Sequence, residues 1–162
     1  MRGREPRGER ELEAAVTAGL ATIQRRERTV AELRAWLLER GTDADVVEAA
    51  LAELIEVGEL DDERFAFAFA GDKRELAGWG AERIEGALTD RGLDRELVDR
   101  ASAEGRDSQL DRAATQLRRR GEPLDGDRER ARALSYLTRR GYEYELAYDA
   151  IRVVERDVGS AA

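Results

Sequence analysis

The chain has 162 residues, 36 of them acidic and 28 basic, for a formal net charge of −8, and it contains neither cysteine nor histidine. Without thiol or imidazole there can be no thiolate nucleophile, no structural zinc site of the usual ligands and no histidine acid/base chemistry. The remaining carboxylates, in so charged a chain, belong mainly to solvated faces, so catalysis, a metal and a cofactor are all unexpected. Leu, Ile, Val and Phe together number 34, too few for one large core but suited to several small cores that share faces.

The first ten residues, Met1 to Arg10, are rich in Arg and Gly and are expected to be mobile. No apolar h-region follows them, and no run is long enough to cross a bilayer, so the expected compartment is the cytoplasm. The first strong helix signal is Thr29 with Glu32, a capping box ahead of Val30, Leu33, Leu37 and Leu38. Trp36 lies beside Leu33 and Leu37 and is expected in the core. Gly41 closes that helix, because a glycine just past the last apolar position takes the left-handed conformation at little cost. Thr42 is placed to cap the next helix, whose expected buried stripe is Val46, Val47, Ala50, Leu51, Leu54 and Ile55, with Gly58 as its stop.

A new start follows at Leu60-Asp61-Asp62, with Asp61 as N-cap and Leu60 poised to pack on Phe65. The run Phe65 to Ala70 alternates with period two, as a strand would. A helix is the better reading, since alanine is a poor strand former and Phe65, Phe69 and Leu76 fall on one helical face. Trp79 lies between two glycines in a loop. Helices are then expected from about Ala81 to Arg91, burying Ile84 and Leu88, and from about Asp94, burying Leu97, Val98 and Ala101. A third set begins with Leu110, Ala114 and Leu117, passes a loop at Gly121, Pro123 and Gly126, and ends with Leu134 and Leu137 followed by Leu146 and Ile151.

These elements repeat. AWLLERG, GALTDRG and SYLTRRG share Leu-x-x-Arg-Gly, and Gly41, Gly92 and Gly141 mark a period of about fifty residues. Small apolar residues recur five, six and nine positions after each glycine. The expectation is an all-α protein of three tandem three-helix repeats, residues 11–59, 60–104 and 105–158, stacked as an elongated, curved solenoid.

The motifs Glu32-Leu33-Arg34, Leu38-x-x-Gly41, Gly58-x-Leu60-Asp61-Asp62-x-x-Phe65-Ala66, Gly78 to Ile84, Leu88-x-x-x-Gly92 and Leu137-x-x-x-Gly141-Tyr142 resemble, in order and spacing over nearly the whole chain, the RecX family of regulatory proteins. The resemblance implies a cytoplasmic regulator of the RecA recombinase. Such a protein would bind in or along the RecA filament on single-stranded DNA, limit its growth, ATP hydrolysis, strand exchange and coprotease activity, and so bear on recombination, DNA repair and the SOS response. It implies no catalytic residues. The net acidity of this chain departs from the family's more basic balance.

Charge is uneven along the chain: residues 42–63 hold nine acids and no base, whereas residues 112–140 hold nine Arg against four acids. Arg118, Arg119 and Arg120, with Arg139 and Arg140, are the candidate contacts to filament acids or DNA phosphates, since guanidinium pairs bidentately with either. The same residues also suit the negative ends of their helices. Lys73, the sole lysine, and Arg74 are secondary candidates. Two further readings stay open, a helix-turn-helix protein that binds duplex DNA and a helical adaptor without nucleic acid. A monomer is expected.

Overall fold

The computed structural model describes residues 5–160, and among them every regular element is an α-helix: α1 (Glu5–Arg25), α2 (Val30–Glu39), α3 (Ala44–Glu56), α4 (Asp62–Glu75), α5 (Ala81–Asp90), α6 (Arg95–Ser102), α7 (Arg106–Arg120), α8 (Asp127–Arg139) and α9 (Tyr144–Ser160). Three sets of three helices follow one another, as the repeat requires. The Phe65–Ala70 run is helical and lies inside α4. Part of the expected mobile start is helical, because α1 begins at Glu5. The rest of that expectation, residues 1–4, falls outside the described residues.

The chain divides into two compact units. The first holds the described residues through Ala66 together with Thr89–Arg95, and the second holds Phe67–Leu88 and everything from Glu96 onward. In the first unit α1 packs chiefly on α3, and Ala15, Leu33, Leu37, Val47, Ala50, Leu51, Leu54 and Leu60 form its core. In the second, α7 and α8 pack on α9 around Ala113, Ala114, Leu117, Ala133, Leu137, Tyr142, Leu146, Ala147, Ala150 and Ile151. Alanine is frequent in both cores, which lets helices built from few large apolar residues approach closely and exclude water.

The repeat glycines behave alike. Gly41, Gly92 and Gly141 all have positive φ (80°, 77° and 90°), and each closes its helix with an N–H bond to the carbonyl three residues back. Their surroundings differ: a Cβ on Gly41 would meet nothing within 4 Å, whereas one on Gly141 would lie 2.3 Å from the backbone nitrogen of Arg83. Gly58 closes α3 in the same left-handed way, with φ 76°.

Four expectations need correction. Asp43, not Thr42, is the N-cap of α3, because the Asp43 carbonyl accepts the first bond of that helix, from the Val47 N–H at 2.9 Å, while Thr42 still closes α2 on the Leu37 carbonyl. Ile55 is 48% exposed rather than buried, since it does not lie on the narrow stripe that faces the core. Leu76 is 82% exposed, because α4 ends at Glu75 and the helical face ends with it. Trp36 only partly enters the core, and the Arg40 guanidinium covers its ring at 4.7 Å.

Candidate macromolecular interface

The Leu60-Asp61-Asp62-x-x-Phe65 element is structural, and its two acids do different work. Asp61 caps α4, accepting from the Arg64 N–H at 2.9 Å. Asp62 instead accepts from the Val30 N–H at 2.9 Å and so satisfies an open donor at the start of α2. Leu60 and Phe65 are both buried. Thr29, fully buried, completes the α2 capping box with Glu32 and also donates its hydroxyl to the Arg91 carbonyl at 2.7 Å, next to Gly92. Arg91 grips Glu32 with two donors and stacks over the Phe65 ring at 4.6 Å.

These contacts set opposite trends in two carboxyls. Burial opposes the charge on Glu32, but hydrogen bonds from Arg91 and the Thr29 N–H, with the charges of Arg91 and Arg26, hold its pKa below the usual range. Asp62 goes the other way: burial raises its pKa, the Val30 bond only partly offsets this, and the nearby acids Asp61, Asp94 and Glu32 add to the rise.

In the second unit the loop between α4 and α5 is held by three side chains from later in the chain. The carbonyls of Ala77, Gly78 and Trp79 accept from Arg140, from the Tyr142 hydroxyl (2.9 Å) and from Arg112 (3.3 Å). The Gly80 N–H returns a bond of 2.8 Å to the Arg140 carbonyl. Glycine is required at 80, where a Cβ would stand 2.3 Å from the Gly141 oxygen. The loop presents Trp79, partly exposed, with Lys73 at 4.9 Å and Arg83 at 4.0 Å over its ring and Phe69 edge-on at 6.2 Å.

Arg83 also reaches the Arg139 carbonyl at 3.5 Å. One helical turn before Arg140 stands Tyr136, whose ring carries both Arg140 (4.9 Å) and Arg120 (4.6 Å). Two cation–ring groups, Lys73–Trp79–Arg83 and Arg140–Tyr136–Arg120, are joined through the Arg139 backbone into one strip, with exposed Arg119 and Arg139 next in sequence to its members Arg120 and Arg140.

The seven candidate cations fall into distinct environments. Arg119 and Arg139 are exposed, and their side chains form no ion pair among the described residues. Arg118 is exposed but paired with Asp157 at 2.5 Å, and Arg120 pairs with Glu122 at 2.8 Å. Arg140 is committed to Ala77 and Tyr136. Arg74 is turned inward: it donates to the carbonyls of Ala101 and Ala103 at the end of α6 and pairs with Glu104, which Arg112 also holds. Lys73 sits over Trp79 and Phe69. Arg83, Tyr136 and Arg112 were not singled out by sequence reasoning. The spacing of Tyr136 four residues before Arg140, and of Phe69 four before Lys73, was the available signal.

Among the described residues no group of acids is placed to hold a metal ion, and no helix is long and apolar enough to cross a membrane. What the fold defines is an all-helical repeat protein whose most developed surface is basic and aromatic. The comparisons narrow the class. Residues 15–54 match the model of the first RecX three-helix domain, and residues 61–101 match that of the second. The regulatory protein RecX of Mycolicibacterium vanbaalenii is 35% identical over 142 residues, covering 82% of this chain and 77% of the relative. That of Mycolicibacterium smegmatis is 36% identical over 157 residues, covering 92% and 82%. The crystal structure of RecX from Lactobacillus salivarius shares the fold with a TM-score of 0.78 at 16% identity, covering 91% of this chain and 98% of that one. A second RecX crystal structure gives 0.73 at 22% identity, covering 90% and 73%. The chain belongs to the RecX family.

Proposed function

We propose that this chain is a cytoplasmic, non-catalytic regulator that binds the RecA filament on single-stranded DNA and inhibits its ATP hydrolysis, strand exchange and coprotease activity. The three repeats, 11–59, 60–104 and 105–158, are its working modules, acting as a monomer. Family membership supports the RecA link. The observation that supports contact with nucleic acid within the filament is the strip from Lys73 to Arg120. Alternating cations and rings match unpaired bases and phosphates, because rings offer stacking to any base and guanidinium offers paired donors to phosphate. Arg119 and Arg139, whose side chains form no ion pair among the described residues, are the cations freest to leave solvent for a partner.

The test is RecA ATP hydrolysis on single-stranded DNA, titrated with the protein, with binding to DNA alone measured in parallel. Substoichiometric loss of hydrolysis is expected, and R119E/R139E should need roughly tenfold more protein for the same loss, as expected for removing two phosphate-class contacts. Unchanged hydrolysis together with tight duplex binding would move the reading to a helix-turn-helix DNA-binding protein. Binding to neither RecA nor DNA would leave a helical adaptor.

A further inference from the structure

The C-terminal end of α3 is built against its own electrostatics. The last turn of a helix carries the negative end of the dipole and favours cations, yet this one holds Glu53 and Glu56 and no basic residue. Glu59 follows just beyond. All three are exposed, and none forms an ion pair among the described residues. Among them stand Ile55, 48% exposed, and Val57, 64% exposed. Unpaired acids at the wrong helix end, around exposed apolar side chains, break local rules without any gain inside the fold, which is the mark of a surface kept for a partner.

The second unit carries the complement. Arg119 and Arg139 are exposed and unpaired among the described residues, Lys73 and Arg83 add charge around Trp79, and Leu76 beside this loop is 82% exposed. Each surface thus combines charge of one sign with an exposed apolar side chain, and the chain supplies both at equal concentration.

We propose that the acidic end of α3 in one copy docks on the basic strip of a second copy, standing in for the phosphates that the strip receives under the function proposed above, on which this inference rests. Glu53, Glu56 and Glu59 meet the free guanidinium groups, while Ile55 and Val57 meet the apolar neighbours of the strip. Two different surfaces make the contact, so it is heterologous and leaves each pair with one free surface of each kind. Exposed ion pairs are individually weak and screened by salt, so monomer dominates at physiological ionic strength. A nucleic acid, with its far denser charge, displaces the second copy. Self-docking and nucleic acid therefore compete for the same strip, the second copy holding it only at low ionic strength.

Sedimentation equilibrium over a range of protein concentrations, at low salt and at about 0.5 M salt where screening is short-ranged, tests this. Wild type should show a concentration-dependent rise in mass at low salt that is lost at high salt and on addition of oligo-dT. E53R/E56R and R119E/R139E, each checked for native helical signal by circular dichroism, should each self-associate roughly tenfold more weakly, as expected for losing two or more pairs. Mixing the two variants should restore association, because the intact strip of one meets the intact α3 end of the other. A wild-type mass independent of concentration at low salt, or variants that fail to rescue one another, would overturn the proposal. E53R/E56R should retain full binding to oligo-dT. Failure of self-association with DNA binding still dependent on Arg119 and Arg139 sinks this inference alone, whereas DNA binding indifferent to both sinks the site assigned under the proposed function.

Discussion

Arg91 joins Glu32 across 59 positions of sequence, donating from Nε to one carboxylate oxygen and from a terminal nitrogen to the other at 3.0 Å. Both side chains are about three-quarters shielded, at 21% and 25% exposure. The same guanidinium covers Phe65 and donates to the Glu27 carbonyl at 3.2 Å. A planar, forked, permanently charged group can do all three at once, and an ammonium cannot. Arg91→Ala should therefore lower stability by about 2 kcal/mol, the cost expected of a partly buried, hydrogen-bonded pair that loses one member. Arg91→Lys should recover less than half of that. Urea denaturation followed by circular dichroism measures both, and a lysine variant as stable as wild type would show that charge alone matters.

Glu32 and Asp62 predict opposite pH trends within the first unit. The lowered pKa of Glu32 means that its contribution is present above the usual carboxylate range and is lost as pH falls through the folded-state value. The raised pKa of Asp62 means that the folded state holds its proton more tightly than the unfolded chain does, so stability falls as pH rises through that carboxyl's titration. Asp62→Asn keeps an oxygen for the Val30 N–H and removes the charge. It should gain about 0.5 kcal/mol at neutral pH, a figure discounted for solvent screening, with the gain vanishing in acid. Glu32→Gln should lose stability at neutral pH and match wild type in acid. Thermal melts of the three proteins between pH 3 and 8 decide it.

Much of this arrangement was legible in the sequence, and the reasons are local. Thr29 with Glu32, Asp61 before Phe65, and the Leu-x-x-Arg-Gly ends are short-range signals, each dictated by backbone groups a few residues away. The period of Gly41, Gly92 and Gly141 carried the helix count of every repeat. What could not be read was which cations are occupied. Arg74 and Arg140 look as free as Arg119 in sequence, but their partners, Ala101 and Ala77, lie 27 and 63 residues away. The exposure of Ile55 escaped for a related reason: helical periodicity names a face but not the width of the neighbour that covers it, and for Leu76 it does not say that α4 stops one residue short, at Glu75.

The candidate arginines therefore separate by experiment into two groups. Arg140→Ala removes a donor to the Ala77 carbonyl and a cover for Tyr136, and should cost about 1.5 kcal/mol of stability, in the range of a charged hydrogen bond. Arg74→Ala should cost a similar amount through the α6 carbonyls and Glu104. Arg119→Ala and Arg139→Ala should shift stability by less than about 0.5 kcal/mol, as exposed substitutions do. Melting curves of the four single variants give the comparison, and a destabilised R119A would mean that this residue is structural too.

The three repeat glycines share sequence context and sign of φ, so propensity alone predicts equal costs for alanine at each. Packing predicts a steep ranking. At Gly41 an added methyl meets open space, leaving only the left-handed backbone penalty of about 1–2 kcal/mol. At Gly92 the methyl would stand 2.7 Å from the Ala31 Cβ, so α2 must shift slightly as well. At Gly141 it would press on the Arg83 backbone nitrogen and Cβ, both at 2.3 Å. The Arg83 backbone lies in the first turn of α5, just after the loop pinned by Arg140 and Tyr142, so it cannot yield without releasing Trp79. Gly141→Ala should cost more than about 3 kcal/mol, the range reserved for overpacking against immobile atoms. It should also quench or shift Trp79 fluorescence, whereas Gly41→Ala should leave that signal unchanged. Equal destabilisation at all three positions would mean that the glycines are kept only for their turns; the predicted ranking, with the fluorescence change confined to Gly141→Ala, would show that the third one also holds the platform on which the basic strip is built.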